Sequence, residues 1–378
     1  MNNIVYLDNS ATTKPCVKAV EYINNALCEN WGNPSSLHLM GMNAEIAVSN
    51  ARESVAAFLH CREDEIFFTS CGTESNNTAI MSVKYKKHNG KRIITTAIEH
   101  PSVLEPIKAL EKEGYEVIYL HPDKSGVISL EELKSNLNSD TCLVSIMLVN
   151  NEIGSIQPII EAAELTKRIA PNALFHTDAV QAFGKLPINL QKTKIDLLSA
   201  SGHKIHGPKG IGILYKRKGV NISPLLLGGG QEKNLRSGTE CVPLICGLKG
   251  AIDEIGSAEK LYQKQKELFD YAHSKLCELD FIKFNSNSEC IPYIINISVP
   301  GYRSEVLQHF LERKNIFVSS GSACAKGELS YVLREIGAGA IEIDGALRLS
   351  FSRYNTKDDV NLFCSALCEA VSVLKKSI

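Results

Sequence analysis

Apolar and polar positions along the chain alternate between two periods. "KPCVKAVEYINNALCEN" and "NAEIAVSNARESVAAFLH" space their apolar residues as helices do, whereas "EIFFTS", "RIITTAI" and "YEVIYL" are short β-rich runs. A helix is predicted from Thr73 to about Lys87, and another over "SVLEPIKALEKEG". "TCLVSIMLVN" is apolar almost throughout, as a strand buried on both faces should be. Helix 158–170, strand "ALFHTDA" and two closely spaced strands, "IDLLSAS" and "GIGILYK", follow. This βαβ alternation predicts an α/β fold with a mostly parallel sheet covered by helices on both faces. Near residue 243 the pattern changes. A long helical region, about 243 to 279, precedes strands near 281–285 and 291–299, helix 303–314, strands "IFVSS" and "ALRLSF", and a final helix from about 357. Helix and strand segregate differently there, which predicts a second, smaller α+β domain. No internal repeat or low-complexity linker interrupts the chain.

Composition narrows the function classes. At 378 residues the chain is long enough for two or three domains, and its 44% apolar and 22% charged residues are those of an ordinary globular protein. Forty-one basic residues nearly balance 42 acidic ones, so no field of one sign drives binding to nucleic acid or an anionic membrane. No apolar run approaches the ~20 residues a membrane helix needs. The opening "MNNIVYLDNSATT" lacks a basic region followed by an apolar stretch, so no signal peptide is expected and the chain is read as cytoplasmic. Twelve cysteines are scattered without a CxxC, which predicts free thiols in a reducing compartment and no metal site.

Three segments carry candidate chemistry. In "SASGHKIHGPKGIG" a strand ends in small residues, then His203 and Lys204, then a glycine-rich return. A lysine at the carboxyl end of a sheet strand can form a Schiff base with a carbonyl; a solvated loop lysine is the plainer reading. "FFTSCGTESNNTAI" runs from a strand through a glycine turn into a helix, whose free N–H groups and dipole favour a phosphate. The sequence there is neither a P-loop nor GxGxxG, and a simple helix cap would look the same. In "ALFHTDAVQAFG", Asp178 closes an apolar run and should be partly buried. Such a carboxylate needs a cationic partner, and the protonated ring nitrogen of pyridoxal phosphate (PLP) is one, an ordinary salt bridge another. The order phosphate turn, Asp, Lys is what a PLP site on a parallel sheet would show. A fourth segment, "SSGSACAKGEL", sets Cys324 among small residues, either as a surface thiol or as a nucleophile on a moving arm.

With "GNPSSLH", "TSCGTES", "VNNEIG", "HTDAVQAFGK", "SGHKIHGPKG", "RSGT" and "SSGSAC" present in order, the chain resembles the cysteine desulfurases, the family of iron–sulfur-cluster and nitrogen-fixation sulfur donors. The similarity runs from Tyr6 to Val360. It implies a fold-type I, class V aminotransferase-like PLP enzyme. The seven-stranded, mostly parallel sheet would occupy a large domain, 15–255, and the smaller domain, 1–14 and 256–378, would carry the catalytic cysteine.

The resemblance makes Lys204 the Schiff-base lysine and places Ser201 and His203 on the cofactor phosphate with Gly72 and Thr73. Thr239 would reach that phosphate from the second subunit of a homodimer. Asp178 would pair with the pyridine nitrogen, Gln181 with the ring hydroxyl, and His100 would stack on the ring and handle protons. Asn151 would contact both cofactor and substrate. Arg348 would hold the substrate carboxylate in its bidentate fork, with Asn33 assisting. Cys324 would take sulfur from L-cysteine as a persulfide, leaving L-alanine, and pass it to an iron–sulfur scaffold or a tRNA-thiolation sulfurtransferase. A selenocysteine lyase, an aminotransferase-like enzyme of the same fold and a non-catalytic sulfur carrier are the alternatives. Two departures stand out: Cys71 occupies a place where relatives more often carry Gly, and the stretch after Cys324 is shorter than in housekeeping members.

Overall fold

The computed structural model describes residues 4–85, 90–320 and 329–376. Seven strands form the large sheet: β2 (Ile66–Thr69), β3 (Arg92–Thr96), β4 (Glu116–Leu120), β5 (Thr141–Ser145), β6 (Leu174–Asp178), β7 (Leu197–Ser201) and β8 (Gly212–Lys216); β1 (Val5–Tyr6) lies outside it. The order is β2-β8-β7-β6-β5-β3-β4, and only β8 runs against the rest. Neighbouring residues of a strand face opposite sides of this sheet, and both sides are covered. Ile94, Val144, Phe175 and Leu198 join one apolar cluster while Ile93, Leu143, Leu174 and Leu197 join another. Each such side chain contributes about 1.5–3 kcal/mol by leaving water, which is why continuous apolar runs specify these strands.

A four-stranded antiparallel sheet forms from β9 (Lys283–Phe284), β10 (Ile294–Ser298), β12 (Ser319–Ser320) and β13 (Ala346–Ser350), while β1 pairs in parallel with β11 (Ile316–Phe317). Helices Ala258–Cys277 and Lys357–Val373 pack on this part through Leu268, Phe269, Phe363 and Leu367.

Several elements differ from the periodicity reading. "TCLVSIMLVN" is a strand only over Thr141–Ser145, after which the chain leaves the sheet to build the cavity wall. The helical region 243–279 is two helices, Val242–Ile255 and Ala258–Cys277, parted at Gly256, whose φ of 67° favours glycine. "IFVSS" splits into two strands of different sheets, with Val318 between them. Short helices at Leu130–Asn136, Tyr331–Glu335 and Ala340–Asp344 were not foreseen, because one or two turns carry too little periodicity. The helix expected to reach Lys87 ends at Met81 and gives way to a 3₁₀ turn, Ser82–Tyr85; its expected last residues lie outside the described ones.

Candidate active site

Between β3 and β5 the order of connection reverses: the chain runs outward from β3 to β4, then returns to the other side of β3. Crevices at such points, beyond the carboxyl ends of the strands, bind ligands. A cavity of about 430 Å³ lies there. His100 follows β3, Asn151 follows β5, Asp178 closes β6, and Ser201, His203 and Lys204 come from the end of β7. Gly72 and Thr73 open the helix after β2, and Gln181 stands one turn past Asp178. Arg348 and Ser319 enter from the antiparallel sheet, and Asp8, Ser10 and Ala11 close the wall from the N-terminal segment.

Helix Gly72–Met81 begins without a side-chain cap, since Cys71 at its N-cap makes no cap hydrogen bond. Ser201 Oγ nearby is buried and has no partner among the described residues. A Cβ on Gly72 would meet Val180 Cγ2 at 2.7 Å, so glycine is required for this close approach. His203 is anchored by Thr12 Oγ1 at 3.2 Å, and burial, with the charge of Lys204 adding, pushes its imidazole down to about 4. Lys204 Nζ donates to the carbonyl oxygens of Ser10 at 2.5 Å and Ala11 at 2.8 Å.

Asp178 is buried and accepts from Asn76 Nδ2 at 2.7 Å and from the Val180 N–H at 2.9 Å, two neutral donors. His100 caps helix Pro101–Lys112. Its Nδ1 accepts the Ser102 backbone N–H at 3.1 Å, so the proton of the neutral ring resides on Nε2. Burial lowers the pKa of His100 and the Lys204 charge adds to this, while Asp178 opposes it. Arg348 donates through Nη1 to the Asn151 carbonyl and through Nη2 to Asp8, and its buried Nε has no partner among the described residues.

The aminotransferase class-V family pattern matches residues 5–363. A cysteine desulfurase of Nostoc sp. is 42% identical over 378 residues, covering 99% of this chain and 94% of that protein. The chain belongs to the cysteine desulfurases of the aminotransferase class-V family. A solved NifS-like protein superposes with a TM-score of 0.93 at 40% identity, over 98% of this chain and all of that one. Another solved structure, described as SspA in complex with cysteine, has a TM-score of 0.83 at 33% identity and covers 93% of this chain and 99% of its own. As a member of this family the desulfurase depends on pyridoxal 5'-phosphate.

Not every expected residue of the desulfurase lies at the cavity. Thr239 is exposed and does not line it, nor does Asn33, whose Oδ1 accepts the Ser35 N–H. Cys324 lies outside the described residues, but its flanks are defined. Ser319 lines the cavity and is the register partner of Arg348, and Ser330 Oγ donates to Glu152 Oε2 at 2.5 Å. Reading the sequence missed Asn76, Ser102, Asp8, Ser10 and Lys185. Asn76 stands beside a recognised motif and Ser102 opens a predicted helix, but they meet across 26 positions, whereas Lys185 lies inside a recognised motif and bonds Gln181 only four residues away.

Proposed function

We propose that the chain converts L-cysteine to L-alanine and transfers the sulfur through Cys324 to an acceptor protein. The observation that carries this reading is the convergence of Lys204, Asp178 and Arg348 on one cavity whose edge, Ser319, begins the approach to Cys324. PLP suits these residues. The uncapped helix start, the unpartnered Ser201 hydroxyl and His203 are donors suited to a phosphate, and Asp178, held by neutral donors, is suited to a ring N–H⁺. When bound, PLP supplies an electron sink that lets a proton leave Cα of an amino acid.

Within this reading the chain's own groups have distinct tasks. Lys204 Nζ takes the Cα proton. Gln181 would donate to the ring oxygen of the bound cofactor. His100, with its proton on Nε2, presents a donor to the cavity. Arg348 turns its fork from Asp8 to the substrate carboxylate, beside Asn151. The Cys324 thiolate attacks the substrate sulfur. A sulfur–sulfur bond forms, the carbon–sulfur bond breaks with its electron pair left on carbon, and protonation gives alanine.

We also propose a homodimer in which Thr239 serves the second subunit's phosphate site. Exposed apolar residues from Val17 to Ile46, including Leu37 at 97% exposure, and Leu227 at 84% support such an interface. The Arg236–Glu74 ion pair at 2.9 Å ties the segment before Thr239 to the helix at the phosphate turn. The domain boundary is placed at Ile255, because helix Val242–Ile255 packs on the large-sheet core and Ala258–Cys277 on the other. The setting is proposed to be the cytoplasm; among the described residues no helix is long and apolar enough to cross a membrane.

The test is an assay of alanine and sulfide from L-cysteine, run beside L-selenocysteine and with iron–sulfur scaffold or tRNA-thiolation acceptors present. Cys324→Ala should keep the visible absorbance of the bound cofactor and lose sulfide release. Lys204→Ala should lose that absorbance. Full sulfide release by the Cys324 variant would sink the assignment.

A further inference from the structure

Gln181 stands between two fixed partners. Its Nε2 donates to the Ser10 carbonyl oxygen at 2.9 Å, and its Oε1 accepts from Lys185 Nζ at 3.0 Å. A carbonyl oxygen only accepts and an ammonium only donates, so both ends select the same orientation of the amide. One Nε2 hydrogen is used on Ser10; the second is left for the cavity that Gln181 lines.

Lys185 is an unusual residue to find there. It is 5% exposed, and among the described residues no carboxylate forms an ion pair with it. Its Nζ lies 5.7 Å from the centre of the Tyr293 ring, in the wall behind Lys204. Burying a lysine without a carboxylate partner costs stability. Burial, with the charges of Lys204 and Arg348, pushes its amine down to about 7. Both the ammonium and the neutral amine keep an N–H for Gln181 Oε1, so the link persists across neutral pH.

We propose that Lys185 is a positioning residue for the cofactor, pinning the Gln181 carbonyl so that an Nε2–H, not an oxygen, faces the ring oxygen. The inference rests on the reading above that Gln181 meets the ring oxygen. Without Lys185 the Ser10 carbonyl alone holds the amide, and whenever the amide turns an oxygen opposes an oxygen. Polarisation of Oε1 by Lys185 also strengthens the Nε2–H as a donor.

The experiment titrates full-length apoprotein with PLP and follows the visible band of the holoenzyme against pH. Lys185→Met should weaken PLP binding about tenfold, the worth of one buried hydrogen bond. It should also move the pH midpoint of the band upward, because a donor to the ring oxygen favours its ionised form. Gln181→Leu should do at least as much, and the double variant should be no worse than Gln181→Leu alone. Wild-type affinity and midpoint in Lys185→Met would overturn the proposal, as would full additivity in the double variant. An unaltered Gln181→Leu would instead remove the reading of Gln181 as a ring contact. If Lys185→Met does not fold, Lys185→Arg decides the matter: it keeps N–H donors for Gln181 Oε1, so affinity and midpoint should stay near those of the wild type, and a loss as large as that of Gln181→Leu would overturn the proposal.

Discussion

Asn76 donates a 2.7 Å hydrogen bond to Asp178 from inside the helix whose start faces the cavity. The same nitrogen reaches Ser102 Oγ at 2.8 Å, and Ser102 Oγ lies 2.8 Å from His100 Nδ1. One amide thus joins the carboxylate of β6 to the histidine that follows β3. Asn76→Ala leaves Asp178 with only the Val180 N–H among these donors and Ser102 without its buried donor. The apoprotein should lose about 1–3 kcal/mol of stability, measured by urea unfolding. An unchanged midpoint would mean that water replaces Asn76 without cost.

This link also marks the limit of what the chain reveals by itself. Lys204, Asp178 and Gly72 were legible because each stands where an apolar strand ends, and strand ends in a βαβ alternation share one edge. Asn76 and Ser102 were not legible, since their importance lies in a contact between two helix starts 26 positions apart in sequence. Asp8 and Ser10 were hidden for the same reason: the N-terminal segment crosses to meet residues near 181, 204 and 348. The fold itself was easier, because strands covered on both faces must be continuously apolar. "IFVSS" misled because a strand that changes sheets keeps its apolar pattern through the change.

Gly72 tests the phosphate turn. An added Cβ would press on Val180 Cγ2 at 2.7 Å, and a β-branched side chain beside Asp178 has little freedom to retreat. Gly72→Ala should weaken PLP binding by about tenfold or more, since a sub-ångström shift of the helix start misaligns its N–H donors. Titration of the apoprotein with PLP reads this directly, and wild-type affinity would show that the turn is not the phosphate site.

His176 gives the structure a pH dependence with a definite sign. It is fully buried between Ser145 Oγ at 2.8 Å and Ser199 Oγ at 3.0 Å, and burial pushes its imidazole down to about 3. In the unfolded chain the ring titrates near its ordinary value of about 6.5. Between these values the unfolded chain binds the extra proton, so the contribution is fully present above about 6.5 and is lost as the pH falls toward 3. Wild-type apoprotein should therefore lose more stability than His176→Gln between about pH 7 and about pH 4.5, by roughly 1 kcal/mol or more. Denaturant unfolding at the two values checks this, and equal losses would place the acid sensitivity elsewhere.

Ser330 tests whether the flank beyond Cys324 governs sulfur transfer rather than cofactor binding. Its hydroxyl donates to Glu152 Oε2 and accepts the Leu333 N–H at 3.0 Å, so it caps helix Tyr331–Glu335 and holds it to the residue after Asn151. Tyr331 OH donates to the Glu99 carbonyl, fastening the same helix beside His100. Burial raises the pKa of Glu152, while the Ser330 hydrogen bond and the Arg348 charge oppose that rise. Ser330→Ala removes a cap worth about 0.5–2 kcal/mol and leaves the half-buried Glu152 carboxylate without this donor. Among the described residues Ser330 bonds neither to the phosphate turn nor to Asp178, so PLP affinity and the visible band should change much less than the rate of sulfide release. The rate of sulfide release should fall several-fold, because the helix that follows Cys324 in sequence loses its tie to Glu152 while the cavity stays intact. A spectral change in proportion to the lost rate would show instead that this flank acts through the cofactor, and would separate the anchoring role from the chemistry.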